Sequence, residues 1–166
     1  MYTDSLFSGN ALRPVDGKGR TYLPDFVLRV LEGRRSGAEL MLGPHEADPC
    51  LSGYDPDYQA VLHAEIERRR IRDEDQGGGP AAHHVRLRRT FGAVERAAYN
   101  SRGRLTLPPM IRRRGRIGDA ALFIGAGGSF EIWNPDLARE AEDEEVRELA
   151  RFALRQSKAE EREIDQ

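Results

Sequence analysis

Apolar positions along the chain come in short runs, some with strand spacing and some with helix spacing. Residues 38–42 and 120–124 are mostly apolar and each is closed by glycine, which predicts two buried strands. The glycine-rich break at 125–128 runs into a second strand-compatible stretch, 129–133, and so reads as a hairpin turn. Residues 57–72 place Tyr58, Val61, Leu62 and Ile66 on one helical face. Residues 73–80, with three consecutive glycines, read as a linker, and Pro80 opens a further helix through Arg89. From 135 to 156, Leu137, Ala141, Val146, Leu149 and Ala153 recur at helical spacing, and the last ten residues are expected to fray.

The most informative pattern is an internal repeat. Residues 15–27 recur without a gap 84 positions later, at 99–111. In both copies a basic residue, Gly, Arg, two strand-compatible residues, Leu and Pro follow in order: Lys18-Gly19-Arg20-Thr21-Tyr22-Leu23-Pro24 and Arg102-Gly103-Arg104-Leu105-Thr106-Leu107-Pro108. Phe7 and Phe91 share the same offset, Leu40-Met41-Leu42-Gly43 resembles Phe123-Ile124-Gly125, and Tyr54-Asp55-Pro56-Asp57 resembles Trp133-Asn134-Pro135-Asp136. Each copy predicts strand, tight turn, strand, short helix, then a hairpin. Asp16-Gly17 with Gly19 suits a turn that needs positive φ, a conformation Asn100 also tolerates, and Pro24 and Pro108 are expected at first helical positions. A unit of this size encloses little interior, so the two copies are expected to pack about a pseudo-twofold axis around one core.

Charge sharpens this picture. The net charge of -2 conceals a block at 77–118 in which ten arginines meet a single acid, Glu95. Arginine offers a planar fork of donors suited to phosphate and guanine. The single Cys50 rules out an internal disulfide or a thiolate zinc cluster and points to a reducing compartment. With no apolar run long enough for a membrane span and no leader-like pattern in residues 1–10, a soluble, cytoplasmic chain is expected.

Enzymatic signatures fail on inspection. The Gly125-Ala126-Gly127-Gly128 run lacks the third glycine of a dinucleotide fingerprint and leads into a strand, so no helix N-terminus waits for a phosphate. His63-Ala64-Glu65 has no Cys-x-x-Cys to complete a zinc deaminase, and His83-His84 diverge on a helix. Cys50 reads as a packed residue rather than a nucleophile. No catalytic residue, metal site, cofactor or small-molecule substrate is expected.

Asp16-Gly17-Lys18-Gly19-Arg20 is similar to the D-x-x-x-R motif of the MraZ family of bacterial transcriptional regulators, and the motif is doubled here as in that family. Pro49-Cys50-Leu51 with Tyr54, Phe91-Gly92-Ala93, Gly103-Arg104-Leu105 and Phe130-Glu131-Ile132-Trp133 follow in family order, so the resemblance runs from about Phe7 into the C-terminal helix. It implies an α+β fold of duplicated swapped-hairpin (AbrB-like) β units sharing a pseudo-twofold core, with flanking helices. The implied organisation is a first SpoVT-AbrB-type unit at 7–56, a helix and glycine linker at 57–86, a second unit at 87–134 and an acidic tail at 135–166. The implied function is a sequence-specific DNA-binding regulator, a repressor of its own division and cell-wall operon. Its partners would be double-stranded DNA with repeated boxes and copies of itself in a homo-oligomeric ring, in the nucleoid and away from membranes.

Carried over by position, the resemblance assigns DNA contact to Asp16, Lys18 and Arg20 in the first motif and to Arg102 and Arg104 in the second. Asn100 stands where the family pattern has Asp. A carboxylate holds a guanidinium by a charge-assisted bond and an amide oxygen holds it less strongly, so Arg104 is expected to be the looser arginine. From the residues alone, arginines at hairpin turns project from a rigid scaffold toward a duplex. Arg13 is a further candidate for DNA contact after Lys18 and Arg102, and Arg86, with Arg88, Arg89 and Arg96, would widen the positive field, whereas Tyr54 and Trp133 read as core anchors. Asn100 and the acidic tail also support a second reading, an oligomeric scaffold or protein-interaction module of the same fold that has lost operator binding.

Overall fold

The fold is described from a computed structural model, in which residues 6–34 and 37–166 are described; residues 1–5, half of the stretch read above as lacking a leader, and 35–36 lie outside it. The first repeat forms β1 (Asn10–Pro14), β2 (Arg20–Tyr22), α1 (Asp25–Gly33), β3 (Glu39–Pro44) and β4 (Leu51–Tyr54). The second forms β5 (Glu95–Ala98), β6 (Arg104–Thr106), α4 (Pro109–Arg114), β7 (Ala120–Gly125) and β8 (Phe130–Trp133). Between them lie α2 (Tyr58–Asp75), α3 (Ala81–Leu87) and a π-helical turn (Arg88–Gly92); α5 (Pro135–Ala138) and α6 (Glu144–Ile164) close the chain.

The strands interleave. A six-stranded antiparallel sheet runs β1-β7-β8-β4-β3-β5, and β2 pairs with β6 in a separate two-stranded ribbon. Exchanging the repeats reverses the sheet order onto itself, so the fold is α+β with swapped hairpins and a pseudo-twofold core, as expected. The axis passes through the Thr21–Leu105 pair of the ribbon and the Ser52–Glu131 pair of the sheet. Neither first strand pairs within its own hairpin: Leu12 faces Leu122, and Arg96 faces Met41.

Those two pairs also correct the alignment of the repeats. They make Met41 the equivalent of Leu122, and hence Leu40 of Ala121 and Leu42 of Phe123, one position away from the match suggested by the glycines. Burial agrees with the strand period of two. Leu40, Leu42, Ala121 and Phe123 all join the main core, together with Val27, Leu31, Leu105, Ile111 and Phe130. Leu122 points to the other face, where Cys50, Trp133, Ala138 and Ala150 form a second cluster under α5 and α6.

Several local expectations shift. The positive φ values fall on Gly19 and Gly103 (both +81°), not on Asn100. Pro24 and Pro108 occupy the N-cap with extended backbone, one residue before the helices. On α2, Tyr58, Leu62 and Ile66 turn inward at a spacing of four while Val61 faces solvent, and the helix runs three residues further, to Asp75. The C-terminal segment is two helices, because Asn134 caps α5 and Asp143 caps α6, accepting from the Val146 N–H at 2.9 Å. The tail does not fray at 157: Lys158-Ala159-Glu160-Glu161-Arg162 are strong helix formers and carry α6 to Ile164. No helix among the described residues is long and apolar enough to cross a membrane.

Candidate nucleic-acid interface

The repeated motif builds two tight turns of one geometry. In the first, the Asp16 N–H donates to the Arg20 carbonyl (3.0 Å) and the Gly19 N–H to the Asp16 carbonyl (3.0 Å). In the second, the Asn100 N–H donates to the Arg104 carbonyl (3.1 Å) and the Gly103 N–H to the Asn100 carbonyl (2.9 Å). Glycine is needed at both left-handed positions, and a side chain there would also crowd the Leu107 carbonyl at Gly19 and Leu28 at Gly103.

The side chain at the head of each turn closes it. Asp16 Oδ1 accepts the Lys18 and Arg20 N–H groups (both 2.9 Å), and Asn100 Oδ1 accepts those of Arg102 (3.0 Å) and Arg104 (2.9 Å). The difference lies in the second oxygen. Asp16 Oδ2 also accepts from Arg20 Nε at 2.5 Å, whereas Arg104 makes no side-chain hydrogen bond or ion pair among the described residues. The Arg20 backbone N–H, against the opposing desolvation and with the Arg20 guanidinium and the Lys18 N–H adding to it, lowers the Asp16 pKa to about 2.

Both arginines belong to one exposed surface. Arg20 pairs with Thr106 and Tyr22 with Arg104, so by strand alternation these four side chains share a face of the ribbon. Thr21 and Leu105, each 1% exposed, anchor the opposite face in the core. Tyr22, 48% exposed beside Arg104, was not singled out from the sequence, although the alternation Arg20-Thr21-Tyr22 carries the signal.

The other basic residues divide. Lys18 and Arg102 sit exposed in the turns. Arg13 lies half-buried on β1, which leads into the first turn, and donates to the Leu12 carbonyl at 3.3 Å. Arg86 is remote from the ribbon in this sense: it lies on α3, pairs with Asp73 of α2 (2.7 Å) and lines a cavity with Tyr58 and His45. Arg89 donates to the His45 carbonyl (2.6 Å) and Arg96 pairs with Glu39 (2.9 Å). Arg112, overlooked within the basic block, donates to the carbonyls of Gly17 (3.1 Å), Ile117 (3.1 Å) and Gly118 (3.0 Å), so α4 braces the first turn from the other repeat. Tyr54 and Trp133 are core residues, 4% and 0% exposed.

One cluster has metal-ligand chemistry: donor atoms of His45, Cys50 and Glu131 lie within 4.8 Å of one another. Each is already committed. His45 Nδ1 accepts the N–H groups of Ala47 (3.1 Å) and Asp48 (3.0 Å), which leaves the ring proton on Nε2, facing Glu131 Oε2 at 3.2 Å. Glu131 Oε1 accepts from Trp133 Nε1 (2.8 Å), and burial pushes the Cys50 thiol far up, away from the thiolate a metal needs. A cation on Nε2 would require an imidazole with no proton on either nitrogen. The donor set does not fit a resident metal; it is a hydrogen-bonded seam beneath the second cluster.

No family model matches the chain. Curated relatives do. The Transcriptional regulator MraZ of Xylella fastidiosa (strain 9a5c) is 32% identical over 133 residues, covering 78% of this chain and 82% of the relative. The protein of that name from Stenotrophomonas maltophilia (strain R551-3) is 30% identical over 138 residues, covering 81% and 86%. The one from Syntrophobacter fumaroxidans (strain DSM 10017 / MPOB) is 25% identical over 129 residues, covering 77% and 79%. Identity at this level, spread over four-fifths of both partners and joined to the doubled turn, places the chain in the MraZ family.

Proposed function

We propose that the chain is a sequence-specific, double-stranded-DNA-binding transcriptional regulator and not an enzyme. The observation that supports it most is the ribbon: two turns related by the pseudo-twofold present Arg20 and Arg104 on one exposed face, with the opposite face locked in the core. A two-stranded ribbon fits the major groove, and a rigid scaffold fixes which bases its arginines reach. Lys18 and Arg102, at the tips of the turns, would meet flanking phosphates. The names of the relatives agree with a regulatory role.

The finer reading is a repressor of its own division and cell-wall operon, acting in the cytoplasm and nucleoid as a homo-oligomeric ring on repeated boxes, without cofactor. Few phosphates are met per protomer, so affinity would come from several protomers engaging adjacent boxes at high effective concentration. In the same reading the repeats at 7–56 and 87–134 act as one DNA-facing body, since their strands interleave, while the acidic tail at 135–166 stays clear of the duplex.

The test is binding to the DNA upstream of the chain's own gene beside a scrambled duplex, for wild type, Arg20→Ala and Arg104→Ala. Preference for the upstream DNA that disappears in either variant supports the proposal. Equal affinity of the wild type for both duplexes, unchanged in the variants, refutes it and leaves the turns a structural role.

A further inference from the structure

The two turns share a geometry, but their flanks do not. Strand exchange sets α4 of the second repeat beside the first turn and α1 of the first repeat beside the second. Next to the first turn is an open cavity of about 540 Å³ whose lining includes Lys18, Arg112, Arg113 and Arg116, and no acidic residue. Arg112 directs three of its five N–H donors to carbonyls, and its charge remains. Arg113 and Arg116 are exposed and their side chains make no hydrogen bond or ion pair among the described residues. A smaller cavity beside the second turn, about 330 Å³, is lined by Leu31, Glu32, Tyr99, Asn100 and Ser101 among others. At the offset of 84, Arg102 and Arg29 stand where Lys18 and Arg113 are, but Leu28 replaces Arg112 and the acidic Glu32 replaces Arg116. The pseudo-twofold thus relates a site with four cationic side chains to one in which two cations face the carboxylate of Glu32.

Like charges held within a Debye length repel, and an anion seated among them relieves that repulsion. The cavity adjoins the turn that carries Arg20, and the anion that a DNA-facing turn meets there is a phosphodiester. We propose that the cavity between the first turn and α4 seats one backbone phosphate of the bound duplex, held by Lys18, Arg113 and Arg116, and that its counterpart beside Glu32 seats none. Each protomer then docks on its box in one direction only, despite the near-twofold ribbon. This rests on the DNA-binding reading above and adds a site and a polarity to it.

The experiment uses the full chain and a duplex from upstream of its gene, titrated over a salt series, with single phosphates replaced in turn by neutral methylphosphonates. Replacing Arg113 and Arg116 together by alanine is expected to weaken binding about tenfold and to flatten the slope of log affinity against log salt by about 0.9 per protomer engaged. Arg113→Lys with Arg116→Lys, which keeps the charge, retains the wild-type slope, and Glu32→Arg steepens it by about 0.9 through a second seat. Neutral phosphates at one edge of each box should weaken the wild type and leave the double alanine variant unaffected. A double alanine variant with the wild-type slope and methylphosphonate profile, still preferring the upstream DNA, overturns the phosphate seat alone. A double alanine variant that loses phosphate sensitivity equally at both edges of each box overturns the polarity. A wild type without preference for the upstream duplex overturns the DNA-binding reading and this site with it.

Discussion

The two repeats solve the same backbone problem with different side chains. In the first, Asp16 closes its turn and grips Arg20, and Asp55 accepts from Arg34 at 2.5 Å. At the equivalent positions the second repeat has Asn100, which closes its turn but holds no guanidinium, and Asn134. Asn134 caps α5 through Oδ1 and donates Nδ2 to the Arg116 carbonyl (2.8 Å). An amide oxygen satisfies backbone N–H groups as well as a carboxylate does, so the loops keep their shape. What the amide omits is the charge-assisted clamp on an arginine. The first repeat therefore holds its arginines in place, and the second leaves Arg104 available.

The largest effect is expected where the pseudo-symmetry is broken most sharply in the core. Gly53 is the equivalent of Ile132, but a Cβ on Gly53 would lie 2.3 Å from Phe130 Cζ, because Phe130 fills the space that its counterpart Leu51 leaves on the other side. Gly53→Ile should cost about 3 kcal/mol or more in urea unfolding, and adding Phe130→Leu, which restores symmetry, should recover most of it. Full loss without recovery would mean that the two halves are not interchangeable at the axis.

Next in size is the buried pair. Asp55 is 4% exposed, and Arg34 also donates to the Gly128 carbonyl (3.2 Å) and stacks 4.8 Å from the centre of the Phe7 ring. Removing the carboxylate breaks an ion pair whose acid is buried, so Asp55→Ala should lower stability by roughly 3 kcal/mol. Asn134→Ala, at the equivalent position, removes a helix cap and should cost only about 1 kcal/mol. Chemical denaturation of the two variants side by side measures the contrast; equal losses would erase it.

The smallest effect separates the turns by pH. The Asp16 pKa is about 2 in the folded chain against an ordinary value of 3.8, so on acidification the unfolded chain takes up this proton first. Its contribution to stability is complete above pH 4 and fades as pH falls toward 2. In thermal melts over that window, Asp16→Asn should lose part of the acid slope, and Asn100→Asp, by installing a second clamp, should steepen it. Identical slopes in all three proteins would show that the exposed clamp has no energetic weight.

The duplication, the turns and the order of elements were legible in the residues, because Gly, Pro and the Asp/Asn pair mark backbone geometry directly. The one-residue shift between β3 and β7 was not. Gly43 and Gly125 are chemically alike, and only strand pairing shows that Gly43 corresponds to Ile124. The fate of the basic block was equally hidden. Arg86, Arg89 and Arg96 look the same as Arg113 and Arg116 in a sequence, yet the first three are engaged by Asp73, the His45 carbonyl and Glu39. Arg112 braces a turn 95 residues away, a contact that exists only because the strands are exchanged.

In the proposed function the outer face of the β2–β6 ribbon meets DNA. Amide hydrogen exchange of the full chain, with and without the duplex from upstream of its gene, locates the surface that the duplex covers. Added protection is expected at 16–22 and 100–106, with none at α2 or α6. Protection confined to α2, α3 or the tail, with both turns unchanged, would contradict it.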